Sequence, residues 1–504
     1  MLLSLDPASG DSNSAWKESI KTTSVFTSAA GKAVDLHDGL SGYKEFGLLG
    51  QQLEVVDPVT CTIEITPADE DGRVFLNGDA PLSAFICGVQ GAGKSNSLAV
   101  MLENFLLANP DINSLPVPLT GLVFHYDRHA PFACEAAYLC SHLPVTVLVP
   151  PSSLRSATAL YSSLPGASAN LKIRALRLRE IDLNITRMLS LMAVDQSNDN
   201  PPLYLEIVRK ILRFMANSDS GFRYGVFKTM LGNEKLSPAQ KGPLNLRLEI
   251  LESFMEGRAP SEKAGDLWGQ EGGLVIVDLT DPFVDEATAC LLFEICLNLF
   301  LQRHVKGSVI ALDEAHKYMT ATPSALKFTD TLLSTIRQQR HMGARILIAT
   351  QEPTISPKLL DLCSFTLVHR FTSPEWLTFL KSHIAAAGQA QDRAELMKRI
   401  VELDCGEALL FVPGGVMVGK EQMKEESREI LGDIRNISGM KTFGKEMEEA
   451  LEKKKEMGVL EKLGMRYLKV KIRKRVTADG GRSVMAVAEV ELKKVFSGRQ
   501  KTGV

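Results

Sequence analysis

An α/β fold with a mainly parallel central sheet is predicted by three observations. First, short apolar runs end in Gly or a carboxylate, as in Phe85-Ile86-Cys87-Gly88, Leu274-Val275-Ile276-Val277-Asp278 and Val309-Ile310-Ala311-Leu312-Asp313. Second, segments with helical apolar spacing, such as Glu286 to Arg303 and Ser324 to Met342, separate these runs. Buried strand, helix and buried strand at this interval make parallel α/β structure. Third, the run ending at Cys87 passes through Gly88-Val89-Gln90-Gly91-Ala92-Gly93-Lys94-Ser95-Asn96 into the helix-compatible Leu98-Ala99-Val100-Met101-Leu102. That is the pattern G-x-x-x-x-G-K-[ST] in a strand–loop–helix setting.

The chain has 504 residues, enough for several domains, with 23% charged and 45% apolar residues. Those fractions are those of an ordinary globular chain. The net charge of -3 excludes a globally basic, nucleic-acid-coating protein, so any such contact needs a local patch. The eight cysteines are scattered without a C-x-x-C pair, which argues against a zinc finger or a disulfide framework. The first residues, Met1 to Asp6, lack a basic n-region, and Ala287 to Leu301 is interrupted by Glu294 and Asn298. An intracellular, soluble protein without a membrane span is therefore expected, cytoplasmic or nuclear.

In chain order, residues 1–44 are rich in Ser, Thr, Gly and Ala and read as a flexible lead-in. Three β-type runs between Leu53 and Leu76, parted by Asp57-Pro58 and Asp71-Gly72, predict a small N-terminal β cap. The main domain spans 45–419. After the loop and its helix, Thr120 to Asp127 and Leu143 to Val149 are strand candidates, and a helical insertion is expected over about 171–264. Strands resume at Leu274 to Asp278, Ser308 to Glu314 and Arg345 to Gln351, with a final pair at Phe365 to His369 and Ala408 to Val412. Beyond Lys420 lies a charged extension, 420–504. There Glu446 to Gly464 reads as a surface helix, and Tyr467 to Val476 with Val484 to Leu492 as a hairpin around Asp479-Gly480-Gly481.

The Gly-rich loop turns successive backbone N–H groups toward a polyphosphate, and the helix behind it adds its positive end. Lys94 can reach the β- and γ-phosphates, and the Ser95 hydroxyl can ligate Mg²⁺. A phosphate loop needs a strand-end carboxylate from a neighbouring strand, and Asp313 can hold the same Mg²⁺. Glu314, one residue on, can act as general base toward water, although the pair could instead cap a helix beginning at Ala315. Gln351, at the carboxyl end of the next strand, can sense the γ-phosphate or orient water, or simply open a loop. Arg337 and Arg340 are either an exposed helix face or arginines inserted into a neighbouring subunit's site. Asp127 and Asp278 close buried strands on the same sheet edge, Asp278 reading best as a loop cap. ATP and Mg²⁺ are the expected cofactors.

Taken together, these motifs resemble the HerA/FtsK-like ATPases, within the additional-strand, catalytic-glutamate class of P-loop NTPases. The resemblance rests on Gly88 to Asn96, Leu312-Asp313-Glu314-Ala315-His316-Lys317, Ile348-Ala349-Thr350-Gln351-Glu352-Pro353 and Cys405-Gly406-Glu407-Ala408-Leu409-Leu410-Phe411. It implies a RecA-like sheet, a homo-oligomeric and often hexameric ring, active sites between subunits, and movement of double-stranded DNA through the pore. It assigns Lys94, Ser95, Asp313, Glu314 and Gln351 their nucleotide roles, with Arg337 or Arg340 as the trans-acting arginine.

One region is locally basic: Lys462, Arg466, Lys469, Lys471, Arg473, Lys474, Arg475, Arg482, Lys493, Lys494, Arg499 and Lys501. It can neutralise nucleic-acid phosphates. In a hairpin centred on Gly480, however, Lys471 faces Glu489 and Lys469 faces Glu491, leaving Arg473, Lys474, Arg475 and the tail free. Three functions stay open: a DNA motor, a regulatory or protein-remodelling ATPase on the same fold, and a nucleotide-binding scaffold that hydrolyses little.

Overall fold

The computed structural model describes residues 11–36, 42–128, 132–185, 187–188, 203–217, 222–255, 268, 270–303, 307–388, 393–419 and 459–477. Among the described residues, seventeen strands join in one sheet. From the N-terminus these are β1 Val25–Thr27, β2 Phe46–Asp57, β3 Thr62–Ile65, β4 Arg73–Asn77, β5 Ser83–Cys87, β6 Asn113–Ser114, β7 Thr120–His125, β8 Val145–Val149 and β9 Leu171–Ala175. There follow β10 Leu274–Asp278, β11 Ser308–Leu312, β12 Ala344–Thr350, β13 Phe365–Val368, β14 Glu407–Phe411, β15 Val416–Gly419, β16 Val459–Lys462 and β17 Tyr467–Ile472.

The central part is parallel in the order β9-β8-β10-β7-β11-β12-β5-β13. Its strands alternate between two cores. Phe85 and Phe124 pack on one face with the helices Glu286–Leu301 and Pro323–Arg337, and Ile86 and Val123 on the other with the helix Lys94–Leu106. Burial on both faces is why these segments read as unbroken apolar runs. The predicted fold class is what forms.

Several expectations change at the margins. The segment read as a flexible lead-in contains a helix, Asp11–Lys21, then β1 and a second helix, Ser28–Leu36. Ile20, Phe26, Ala30 and Val34 are buried there, an apolar content too thinly spread to show as periodicity. The N-terminal β runs are no separate cap, because β2 pairs with β17 and β17 with β14, extending the main sheet. Residues 171–175 of the expected helical insertion are the edge strand β9. The helices Leu203–Ala216, Tyr224–Gly232 and Pro238–Ser253 follow it. Val459–Lys462, read as part of a surface helix, is β16 and pairs with β15.

The predicted C-terminal hairpin is overturned for Tyr467–Ile472. Both edges of this strand are hydrogen-bonded, to β14 and β2, so neither is left for residues 484–492. Those residues, the turn at 479–481 and positions 446–458 lie outside the described residues.

Candidate active site

Between β5 and the helix Lys94–Leu106, three loop glycines adopt positive φ: Gly88 (150°), Gly91 (75°) and Gly93 (112°). At Gly88 and Gly93 space also excludes a side chain. A Cβ would lie 2.7 Å from that of His369 in the first case and 3.0 Å from the Gly406 nitrogen in the second. Two distant segments press on the loop. The Val89 amide donates to the Arg370 carbonyl at 2.9 Å, and the Gly406 amide to the Ala92 carbonyl at 3.2 Å. The Cys405 thiol donates to the Gly91 carbonyl at 3.4 Å.

Behind the loop His369 is fully buried, its Nδ1 2.8 Å from the Glu407 carbonyl and its Nε2 2.9 Å from the Ser97 hydroxyl. Burial pushes its pKa down to about 4, and Lys94 adds to the effect against the Glu407 hydrogen bond. The ring is therefore neutral, donating at Nδ1 and accepting at Nε2. Ser95 opens the helix at its positive end. Asn96 donates to the Arg473 carbonyl at 3.2 Å, tying the helix to the chain after β17.

The facing wall comes from β11 and β12. One strand separates the loop from the carboxylates: β12 lies between β5 and β11, so Asp313 is on the strand next but one, not on the adjacent strand. That spacing puts Gln351, at the end of β12, between loop and carboxylates. Its Nε2 donates to Glu314 Oε2 at 3.1 Å, and its amide donates to His316 Nδ1 at 3.3 Å. His316 Nδ1 also lies 3.3 Å from Glu314 Oε2. Burial holds the His316 pKa below the usual histidine range.

Glu314 has φ 49° and ψ 45°, a left-handed conformation costing a residue with a side chain about 1–3 kcal/mol. Such a conformation persists only where the surrounding contacts hold it. Lys94 is buried and donates to the Val89 carbonyl at 3.0 Å. Burial lowers its pKa, while Glu314 and Asp313 pull it back up, so both carboxylates lie within its field.

Asp313 is buried, and its Oδ2 sits 3.3 Å from Nδ1 of His125, the last residue of β7. Burial disfavours charge on His125, but Asp313 and Asp278 outweigh it and push the pKa up to about 9. Asp278 caps its own loop at the Thr280 amide, 3.0 Å, and accepts from the Tyr161 hydroxyl at 2.6 Å. Asp127 pairs with Lys317 at 2.7 Å.

Arg337 and Arg340 are not brought here. Both are exposed and precede the start of β12, at the sheet edge opposite the loop. His125, His369 and Tyr161 were missed by sequence reasoning. His369 meets Ser97 across 272 residues, and no local pattern carries such a contact. His316 was legible only as the residue trailing Asp313-Glu314.

In the basic C-terminal region Arg473, Arg475 and Lys469 are paired within the fold and Lys462, Lys471 and Lys474 are exposed, while Arg482, Lys493, Lys494, Arg499 and Lys501 lie outside the described residues. Arg473 pairs with Glu103 of the loop helix at 2.6 Å, with side-chain exposures of 9% and 0%. It also donates to the Leu48 carbonyl and to Asn104. Glu103 accepts the amides of Val476 and Thr477 as well. Arg475 pairs with Glu135 at 2.9 Å, and Lys469 with Glu407 at 3.2 Å. Neither Arg473 nor Arg475 is thus free; Lys469 lies against Glu407 and Glu54 and Lys471 against Glu407, while the expected partners Glu489 and Glu491 lie outside the described residues. Among the described residues no helix is long and apolar enough to cross a membrane.

No family model and no curated protein matches the sequence. Among solved structures, the chain is similar to VirB4 of Thermoanaerobacter pseudethanolicus, at 13% identity over 73% of this chain and 94% of that one, with a TM-score of 0.39. It is also similar to the plasmid coupling protein TrwB bound to a non-hydrolysable GTP analogue, at 12% identity over 74% and 92%, with a TM-score of 0.37. The DNA-packaging ATPase B204 of Sulfolobus turreted icosahedral virus is similar at 12% identity over 58% and 92%, with a TM-score of 0.23.

Proposed function

We propose that the chain is an ATP-hydrolysing P-loop ATPase of the HerA/FtsK-like type, working as a homo-oligomeric ring. The observation that carries this reading is the β11-β12-β5 arrangement. It sets a strained Glu314, held by Gln351, opposite a glycine loop backed by Lys94. Loop amides bind the polyphosphate, and Lys94 swings from the Val89 carbonyl to its terminal oxygens. Glu314 then takes the proton of the attacking water, and Gln351 keeps its carboxylate pointed at that water. Ser95 and Asp313 are both oxygen donors, a set suited to Mg²⁺. When bound there the ion neutralises phosphate charge.

The substrate moved is double-stranded DNA on the motor reading, with Arg337 or Arg340 acting on a neighbouring subunit's nucleotide. Pairing of Arg473, Arg475 and Lys469 inside the fold favours a second reading, an ATPase on the same fold directed at protein. ATP turnover of wild type, Lys94→Ala and Glu314→Gln, with and without duplex DNA over a salt series, tests both. Each variant should lose about 10²–10⁴-fold in turnover, the range for a removed acid–base or charge-stabilising group. Unchanged turnover in both variants overturns the hydrolytic site. Absence of DNA stimulation overturns the motor reading alone.

A further inference from the structure

We propose that His125 Nδ1, Cys134 Sγ and Asp313 Oδ2 form a site for a borderline-soft divalent cation such as Zn²⁺, sharing Asp313 with the Mg²⁺ position. The three residues converge from separate elements: His125 ends β7, Cys134 precedes the turn Glu135–Ser141, and Asp313 follows β11. All are buried, and their donor atoms lie within 4.8 Å of one another. Asp313 Oδ2 is 3.3 Å from His125 Nδ1 and 4.0 Å from Cys134 Sγ. Tetrahedral zinc with bonds of about 2.0–2.3 Å holds its ligand atoms about 3.3–3.6 Å apart, so the sulfur needs to move inward by only about 1 Å.

A second observation points to a ligand. His125 Nδ1 is buried and aimed into the cluster, yet it is out of line for a hydrogen bond to Asp313 and has no other partner among the described residues. Such atoms are rare in folded proteins unless something binds them. The Cys134 backbone is fixed as well, since its amide donates to the Tyr161 hydroxyl at 3.0 Å, and that hydroxyl donates to Asp278. The donor set of one nitrogen, one sulfur and one oxygen suits zinc and not magnesium, which prefers oxygen throughout. As the metal–sulfur and metal–nitrogen bonds form, the Cys134 thiol proton and the His125 Nδ1 proton both pass to solvent.

Occupancy turns the Asp313 carboxylate toward His125 and Cys134 and away from Ser95, so the soft cation inhibits turnover. That consequence rests on the hydrolytic reading; the binding does not.

The test is a Co²⁺ titration of the nucleotide-free full chain, followed by the thiolate-to-Co²⁺ charge-transfer absorption and by its displacement with Zn²⁺. One equivalent should give the thiolate band. The band should vanish in Cys134→Ser, weaken at least about tenfold in affinity in His125→Asn, and persist in Cys405→Ser, with circular dichroism checking each fold. No band in wild type, or an unchanged band in folded Cys134→Ser, overturns the site; if Cys134→Ser fails to fold, an unchanged affinity in His125→Asn does so instead. Zn²⁺ inhibition of ATP turnover should be relieved about tenfold in Cys134→Ser. A Co²⁺ band without Zn²⁺ inhibition keeps the site and rejects its link to hydrolysis.

Discussion

Two histidines stand behind the two walls of the site, both buried at the carboxyl ends of parallel strands in one sheet, and they settle in opposite charge states. His369, after β13, is pushed down to about 4, whereas His125, ending β7, is pushed up to about 9. Burial opposes charge on both. The neighbours decide: His369 meets a carbonyl, a hydroxyl and the field of Lys94, and His125 meets Asp313 and Asp278. One wall therefore carries the glycine loop, Lys94 and a neutral histidine. The other is built to hold positive charge on carboxylates. The difference teaches that the sheet edge is divided electrically at β12, where Gln351, a neutral side chain, spans the boundary.

The largest expected effect strikes the support of the anion wall. Arg473→Ala leaves Glu103, buried on the loop helix, without its cation, and removing one member of a buried pair costs about 3–5 kcal/mol. Urea unfolding should show that loss, and the double variant Glu103→Met/Arg473→Met should recover most of it. Equal destabilisation of single and double variants would instead make the pair dispensable and the packing decisive.

Next in size is a pH dependence that separates the walls. His369 has a folded pKa of about 4 against an ordinary 6.5, so the unfolded chain takes up the proton first. Stability present above about pH 6.5 is lost as the pH falls through about 4, by about 3 kcal/mol in all. Unfolding midpoints measured from pH 8 downward should fall more steeply for wild type than for His369→Gln. Identical pH profiles would remove the histidine from the account.

The smallest effect is expected at the boundary itself. Gln351→Ala frees Glu314 Oε2 from its donor while leaving the phosphate loop intact. Turnover should drop about tenfold, close to 1.4 kcal/mol, with nucleotide affinity unchanged, because the hydrogen bond orients the base and does not touch the loop. A parallel loss of affinity, read by fluorescent-nucleotide titration, would merge the two walls into one.

How much of this was legible in the chain depends on the distance over which each feature is encoded. Gly88 to Asn96 is local: positive-φ glycines, a strand before and a helix after can all be read within a short stretch. Asp313-Glu314 and Gln351 were legible as strand ends, since an apolar run and its terminus are also local. The strand order was not. Nothing near Leu312 records that β12 enters between β11 and β5, because order is set by crossovers and by helices packing on both faces. The C-terminal hairpin failed for the same reason. Tyr467–Ile472 alternates well enough for a hairpin, and only tertiary competition shows β14 and β2 on its two edges.

The sequence by itself determined the α/β class, the glycine loop with Lys94 and Ser95, and the acidic strand end at Asp313-Glu314, because each depends on residues within a few positions of one another. The tertiary structure alone decided that β12 lies between the loop and the carboxylates, that Gln351 holds Glu314, that His369 is neutral and His125 charged, and that Arg473 is an internal strut. These depend on distances between residues far apart in the chain and on burial, and burial strengthens every charge interaction it encloses.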